Sequence, residues 1–369
     1  MNNFDPLSPY NDLPPLPPKV ELETKHVLKK CIEARSSLSE LKMAGDLIPN
    51  QSVLINTIPL LEAKDSSEIE NIVTTTDNLF RYAFDNMHQL PDAATKEALR
   101  YRTALHDGFI SIEKKPLSTS TAINVCSAIK GSPMSVRKVP GTALANDSTG
   151  EVIYTPPVGE ETILRKLSNL EKFLHYSTEL DPLVRMAAGH YQFEAIHPFS
   201  DGNGRTGRVM NLLFLIQEGL LHQPILYLSR YILANRNEYY SLLLEVTTNE
   251  SWEKWLLYIL EGVVQTSVWT TQKISAIRSL SEHTADYIQT RLPKIYTREL
   301  LDVLFTQPYC RIGNLVEQGI AKRETSSAYL KRLCDEGILE ESKVGRDKVF
   351  VHPKFLTLLT SENHEWVEY

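Results

Sequence analysis

Apolar positions recur at helical spacing along most of the chain. Between Val20 and Lys42, the residues Val20, His26, Val27, Cys31, Ala34 and Leu38 share one face, and Pro49 closes the segment. A second short helix is expected over Gln51–Leu61 and a third over residues 65–84, where Ser67 and Glu70 have the spacing of a capping box. Residues 94–130 read as helix–loop–helix ending at Gly131. Residues 133–157 alternate with β-branched positions on either side of NDSTGE and predict a β-hairpin. Helical spacing returns at 160–177, 182–196, 204–219, 227–231, 235–247 and from 251 to at least 277. Near the C-terminus, TRELLDVLFTQ, IGNLVEQG and ETSSAYLKRLCDEGIL predict three short helices, and SKVGRDKVFVHP two strands around a turn. That order is the winged helix, an elaborated helix-turn-helix. The fold expected is mainly α: a helical core with a β-hairpin flap, followed by a small winged-helix domain.

Composition narrows the classes. The chain has 369 residues, 42% of them hydrophobic, and a net charge of −7. This allows a full core and two or three domains, and gives no overall field for nucleic acid. Six prolines in residues 5–18 predict an extended arm laid on a surface. The N-terminus lacks the pattern of a signal peptide, and no apolar run is long enough to span a membrane. Four scattered cysteines without a CxxC pair fit a reducing, cytoplasmic setting rather than a zinc ribbon or disulfide framework.

The densest chemistry lies in HPFSDGNGRTGR, residues 197–208. Glycines ahead of a helix N-terminus make an anion nest, and Arg205 and Arg208, three apart, share a helix face beside it. Two guanidinium forks suit a polyphosphate. Asp201 offers a hard oxygen of the kind Mg²⁺ prefers, and His197 can accept a proton near neutral pH. A P-loop is excluded, because Arg208 and Val209 stand where Lys and Ser/Thr belong. An EF-hand is excluded by Arg205 and Thr206.

HPFSDGNGRTGR matches every fixed position of the HxFx(D/E)GNGRxxR motif, and the chain resembles the Fic family over residues 60–265 or so. The resemblance implies a Fic-type helical core that transfers AMP from ATP to a Ser, Thr or Tyr hydroxyl of a protein, with Mg²⁺. It implies His197 as the base, Phe199 as the loop's anchor and Asp201 as the metal ligand. Asn203 and the backbone of Gly202 and Gly204 would cradle the α and β phosphates, with Arg205 and Arg208 on β and γ. Gly204 stands where kinase-like members carry lysine. SSEIEN fits the family's inhibitory pattern as Ser66, Glu70 and Asn71, with Glu70 expected on Arg208 unless it closes the Ser67 capping box. In some relatives this glutamate serves removal of AMP. Tyr239 and Tyr240 lie near the family's adenine pocket, Tyr240 being the choice. His190 reads as a core histidine. The hairpin at 133–157 would add the target segment as a strand.

The expected organisation is an arm and helices with the inhibitory segment over 1–95, a catalytic core over 96–265, and a linker helix with the winged helix over 266–369. Residues 319–348 carry seven Lys/Arg and six Asp/Glu. Such balance favours a structural or homodimer-forming module over a DNA reader. A DNA-binding regulator whose core senses nucleotide remains the alternative.

Overall fold

The computed structural model describes residues 4–48, 51–83, 91–145, 149–344 and 347–369. Helix α1 (Lys25–Leu47) starts five residues later than its pattern, at Thr24, whose side chain accepts from the Val27 N–H. Helix α2 (Gln51–Ile69) corrects the two-helix expectation: it runs through Pro59 without a break. Proline deletes one backbone donor, but Leu54, Ile58 and Leu60 around it are fully buried and hold the helix together.

The end of α2 overturns the capping box at Ser67. The Asn71 N–H donates to Glu68 O and the Ile72 N–H to Ser67 O, both at 3.0 Å, and Asn71 takes a left-handed φ of 61°. This is a Schellman stop, in which asparagine tolerates the left-handed position. Ser67 and Glu70 therefore close a helix instead of opening one. Helix α3 (Thr76–Ala83) follows after a short link; residues 84–90 lie outside those described.

Helices α4 (Ala93–Ile112) and α5 (Thr119–Lys130) come next, with α5 stopped by left-handed Gly131. The flap is shorter than expected. Strands β1 (Leu144–Ala145) and β2 (Val152–Tyr154) pair antiparallel, and residues 146–148 of its tip lie outside those described. Then come α6 (Glu160–Tyr176), α7 (Pro182–Ile196), α8 (Asn203–Gln217), α9 (Leu228–Ala234) and α10 (Arg236–Asn249). Helix α11 (Trp252–Arg291) is 40 residues long. Helix α7 is buried on nearly all faces; α6, α8 and α11 pack on it, and α4 and α5 support α8 from behind.

The C-terminal part runs α12 (Arg298–Thr306), β3 (Tyr309–Cys310), α13 (Ile312–Glu317), α14 (Arg323–Asp335), β4 (Glu340–Val344), β5 (Asp347–Val351) and α15 (Pro353–Thr360). Its sheet has three antiparallel strands in the order β3-β5-β4. The short β3 adds to the two strands read from the sequence. The Tyr309 hydroxyl donates to Asp77 of α3, which ties this part to the helices around α2.

Both ends of the chain are strapped down. Tyr10, Leu13 and Leu16 of the proline arm are buried. The Tyr10 N–H donates to Thr155 O at 2.9 Å, beside the flap, and Asn169 of α6 bonds both backbone groups of Leu16. At the other end, fully buried Lys273 of α11 donates from Nζ to Leu358 O, Ser361 O and Asn363 O at 2.6–2.9 Å. Among the described residues no helix is long and apolar enough to cross a membrane.

Lys273→Met keeps the buried stem but leaves three carbonyls without their donor. It is expected to cost about 2–4 kcal/mol, read as a lower urea midpoint together with faster proteolytic release of the segment after Leu358.

Candidate active site

The loop between α7 and α8 is a held conformation. His197 ends α7 with φ 50°, a left-handed backbone that a side chain makes unfavourable. Arg137 offsets that cost. Its buried guanidinium donates from Nε to His197 O at 2.7 Å and from Nη2 to Ile196 O and Pro157 O, while its backbone N–H donates to Pro198 O at 2.9 Å. One side chain thus joins the base-bearing loop to the foot of the flap. Phe199 is fully buried, with its ring 6.3 Å from that of Phe193.

Asn203 closes the loop. Its Oδ1 accepts from the Phe199 N–H and its Nδ2 donates to Phe199 O, both at 2.8 Å. The amide ties the loop back on itself through both its oxygen and its nitrogen. Gly202, at φ 83°, caps α8 with no side-chain hydrogen bond, so the first-turn N–H groups keep their donor capacity for an anion.

The two motif arginines part company. Arg205 is 2% exposed and donates from Nη1 to Glu97 of α4 at 2.5 Å. It does not line the cavity beside His197. Lys130 of α5 sits between Glu97, at 3.4 Å, and Asp201 Oδ2, at 2.5 Å. Burial alone would raise the Asp201 carboxyl, but Lys130 and Arg205 outweigh it and hold the group below its usual range.

Arg208 is 1% exposed and faces the other way. Its Nε donates to Ser66 Oγ, and Nη2 donates to both Ser66 O and Glu70 Oε1, each at 2.8 Å. Asn71 is fixed in turn by Arg236 Nη1 at 3.0 Å. A Cβ on residue 204 would collide with Glu70 Oε1, so the carboxylate reaches the α8 N-terminus only because Gly204 has none.

Burial pushes the His197 imidazole down to about 4, helped by the Arg137 guanidinium and opposed by Glu70. The ring is therefore neutral, and able to take a proton, across the physiological range.

His197, Gly204, Arg208, Glu70, Tyr240, Leu144 and Ile153 line a cavity of about 150 Å³. A second, open cavity of about 750 Å³ shares Glu70, Leu144, Ile153 and Tyr240 with it. Glu70 and Tyr240 thus stand between the two, and the inner space is smaller than the several hundred Å³ usual for a ligand of drug size. Tyr239 is buried and bonded to His190 Nε2 at 2.9 Å, so both belong to the core. Tyr239 and Tyr240 both line the smaller cavity, and Tyr240, its ring under the Arg236 guanidinium, also borders the larger one.

Sequence reasoning missed Arg137, Glu97, Lys130, Glu62 and Glu194. Glu62 is fully buried in α2 and accepts from the Tyr101 hydroxyl and from both N–H and hydroxyl of Ser229. Nothing local marks these residues, because each meets its partner across a long stretch of chain. A weak signal existed for Glu194, an acid in the otherwise apolar last turn of α7.

Comparison with known proteins fits this geometry. A Fic/DOC family N-terminal model matches residues 28–110, a Fic/DOC family model 121–215, and a model described as protein adenylyltransferase SoFic-like, C-terminal domain, 280–355. Protein adenylyltransferase fic-1 of Caenorhabditis briggsae is 35% identical over 89 residues, 24% of this chain and 16% of that protein. A probable protein adenylyltransferase of Aquifex aeolicus is 35% identical over 81 residues, 22% of this chain and 24% of that one. The match therefore spans less than a quarter of either relative. A Fic family protein from Desulfovibrio desulfuricans superposes with a TM-score of 0.54 at 16% identity, over 89% of this chain and 96% of that one. Fic-1 from Caenorhabditis elegans gives 0.51 at 19% identity, over 67% and 72%. These two likenesses show the fold.

Arg137→Met is expected to loosen the loop by about 2–4 kcal/mol, since three carbonyls lose a charged donor. It also removes a cation that disfavours imidazolium, so the His197 titration midpoint, followed by NMR, should rise from near 4 towards its ordinary value.

Proposed function

On a chain that carries Fic/DOC family domains, we propose that this site transfers AMP from ATP to a hydroxyl group of a protein and that Glu70 holds it closed at rest. The observation that carries the reading is Arg208: a buried guanidinium beside a neutral histidine and a helix N-terminus, with a carboxylate where a phosphate would bind. A carboxylate there removes the cation from reach and adds negative charge at the place a polyphosphate needs.

With Glu70 withdrawn, the two cavities join, and ATP lies along Tyr240 with its phosphates at the α8 N-terminus. The target hydroxyl oxygen attacks the α-phosphorus while its proton passes to the His197 imidazole. The bond from the α-phosphorus to the bridging oxygen breaks, and pyrophosphate leaves. Arg208 and the first-turn N–H groups face the charge that builds on the phosphates, where fixed donors contribute most. Arg137 keeps His197 in its unfavourable backbone conformation throughout.

Among the described residues, no three acidic, histidine or cysteine side chains group into a metal site. That donor set fits a Mg²⁺ that arrives with the nucleotide: Asp201 would supply one hard oxygen, with substrate oxygens and water supplying the rest. The ion's chemistry there is neutralisation of phosphate charge.

The flap supports a protein target. Leu144 of β1 and Ile153 of β2 border the cavity, and a strand added to this small sheet would carry its hydroxyl towards His197. Glu70 and His197 on one cavity favour a second reading, in which the resting form uses water in place of the target hydroxyl and removes AMP.

Glu70→Gly is expected to raise transfer of labelled AMP from ATP by about 10- to 100-fold, the equivalent of about 1.4–2.8 kcal/mol in the barrier. Adding His197→Ala should abolish it. For the activated variant at saturating ATP, kcat should stay flat as pH falls through 6.5 and drop only as pH nears 4, because the depressed His197 remains a base until then. Transfer at the resting level by Glu70→Gly would overturn the reading.

A further inference from the structure

Glu194 is an ionisable group on the cavity wall with no part in the chemistry above. It stands in the last turn of α7 and shares the cavity with Glu70, His197, Gly204 and Arg208. Its Oε1 is buried and has no hydrogen-bond partner. The carboxyl lies against α8 at Gly207, where a Cβ would meet Oε1 at 2.5 Å, one residue before Arg208.

The remaining titratable groups facing it carry no charge at neutral pH. On its own helix, burial pushes His190 down to about 3 and His197 to about 4. On α10, burial pushes Tyr240 up to about 12 and Tyr239 well above its ordinary value. Only Arg208 of α8 and Glu70 at the end of α2 set its state. Burial pushes the Glu194 carboxyl up to about 8; Arg208 opposes that rise and Glu70 adds to it.

A buried arginine cannot deprotonate, and leaving it unpaired is strongly unfavourable. Between the departure of Glu70 and the arrival of phosphates, Arg208 would stand in that condition. We propose that Glu194 is a positioning residue, the second counter-ion of Arg208. While Glu70 is clamped, Glu194 is protonated and neutral. When Glu70 withdraws, Glu194 releases its proton to solvent and holds the guanidinium in place. When the phosphates take Arg208, Glu194 takes a proton back. The inference rests on Arg208 as the phosphate ligand, and it makes nucleotide binding proton-linked.

The test uses the full chain as wild type, E194Q, E70G and E70G/E194Q, with a non-hydrolysable ATP analogue and Mg²⁺. Gln keeps the shape of the neutral acid and cannot ionise. Calorimetry at pH 7.5 in buffers of different ionisation heat should show E70G taking up a fraction approaching one proton per nucleotide, and E70G/E194Q taking up none. Without nucleotide, E194Q should leave the Tm of wild type nearly unchanged and lower that of E70G by a few degrees. Equal proton uptake by E70G and E70G/E194Q, or no uptake by E70G, overturns the proposal, as does an equal Tm change in the two backgrounds. If the double variant does not fold while E194Q does, the loss confined to the E70G background supports it, and uptake by E70G against wild type remains measurable. The Tm comparison needs neither nucleotide binding nor catalysis. An inactive E70G would therefore count against AMP transfer alone.

Discussion

Arg208 is a permanent cation closed off from water, and a charge in that position must be met by an anion. Here the anion is Glu70, with Ser66 accepting from Nε through its hydroxyl and from Nη2 through its carbonyl. The contact reaches across 138 residues of sequence and draws the C-terminal end of α2 against the first turn of α8. The rest of α2 is committed to the same placement. Glu62 is bonded to Tyr101 of α4 and Ser229 of α9, and Asp65 accepts from the Tyr227 hydroxyl. A helix end fixed by a buried polar network can hold one carboxylate at one phosphate-sized position.

The loop beside it follows a different rule. His197 and Gly202 both have left-handed backbones, and the segment between them is fixed by groups that leave nothing to chance encounters with solvent. Asn203 is spent on the Phe199 backbone, and Arg137 on three carbonyls. Arg205 is paired with Glu97. The three arginines around the site are held differently. The difference lies in the partner. Arg137 is held by backbone carbonyls and Arg205 by a carboxylate on α4, whereas Glu70, opposite Arg208, sits at a helix C-cap whose backbone beyond Ile69 is a turn.

Much of this was legible beforehand. Helical spacing located most helices because one buried face must repeat with the period of the helix. The glycine, acid and arginine pattern at 197–208 named the site because the chemistry requires those groups close together in sequence. The failures have local causes. Separate helices were expected over Gln51–Leu61 and residues 65–84, yet one helix runs from Gln51 to Ile69, where the burial of the neighbours of Pro59 outweighs one lost hydrogen bond. Ser67 and Glu70 have the spacing of a helix start, but Asn71 supplies the stop, and spacing alone cannot tell the two ends apart. The motif made Arg205 and Arg208 look alike. They differ because Glu97 meets one and Glu70 the other.

The sequence by itself determined most of the elements and the compact motif at 197–208 that proposes the chemistry, since periodicity, turn residues and motif spacing are local properties. Tertiary structure alone decided which groups are spent and which are free. Burial keeps the His197 imidazole neutral, leaves Glu194 Oε1 without a hydrogen-bond partner, and commits Asn203 to the backbone. Those states depend on how much water each group has lost and on which charge stands opposite, and both are set by segments far apart along the chain.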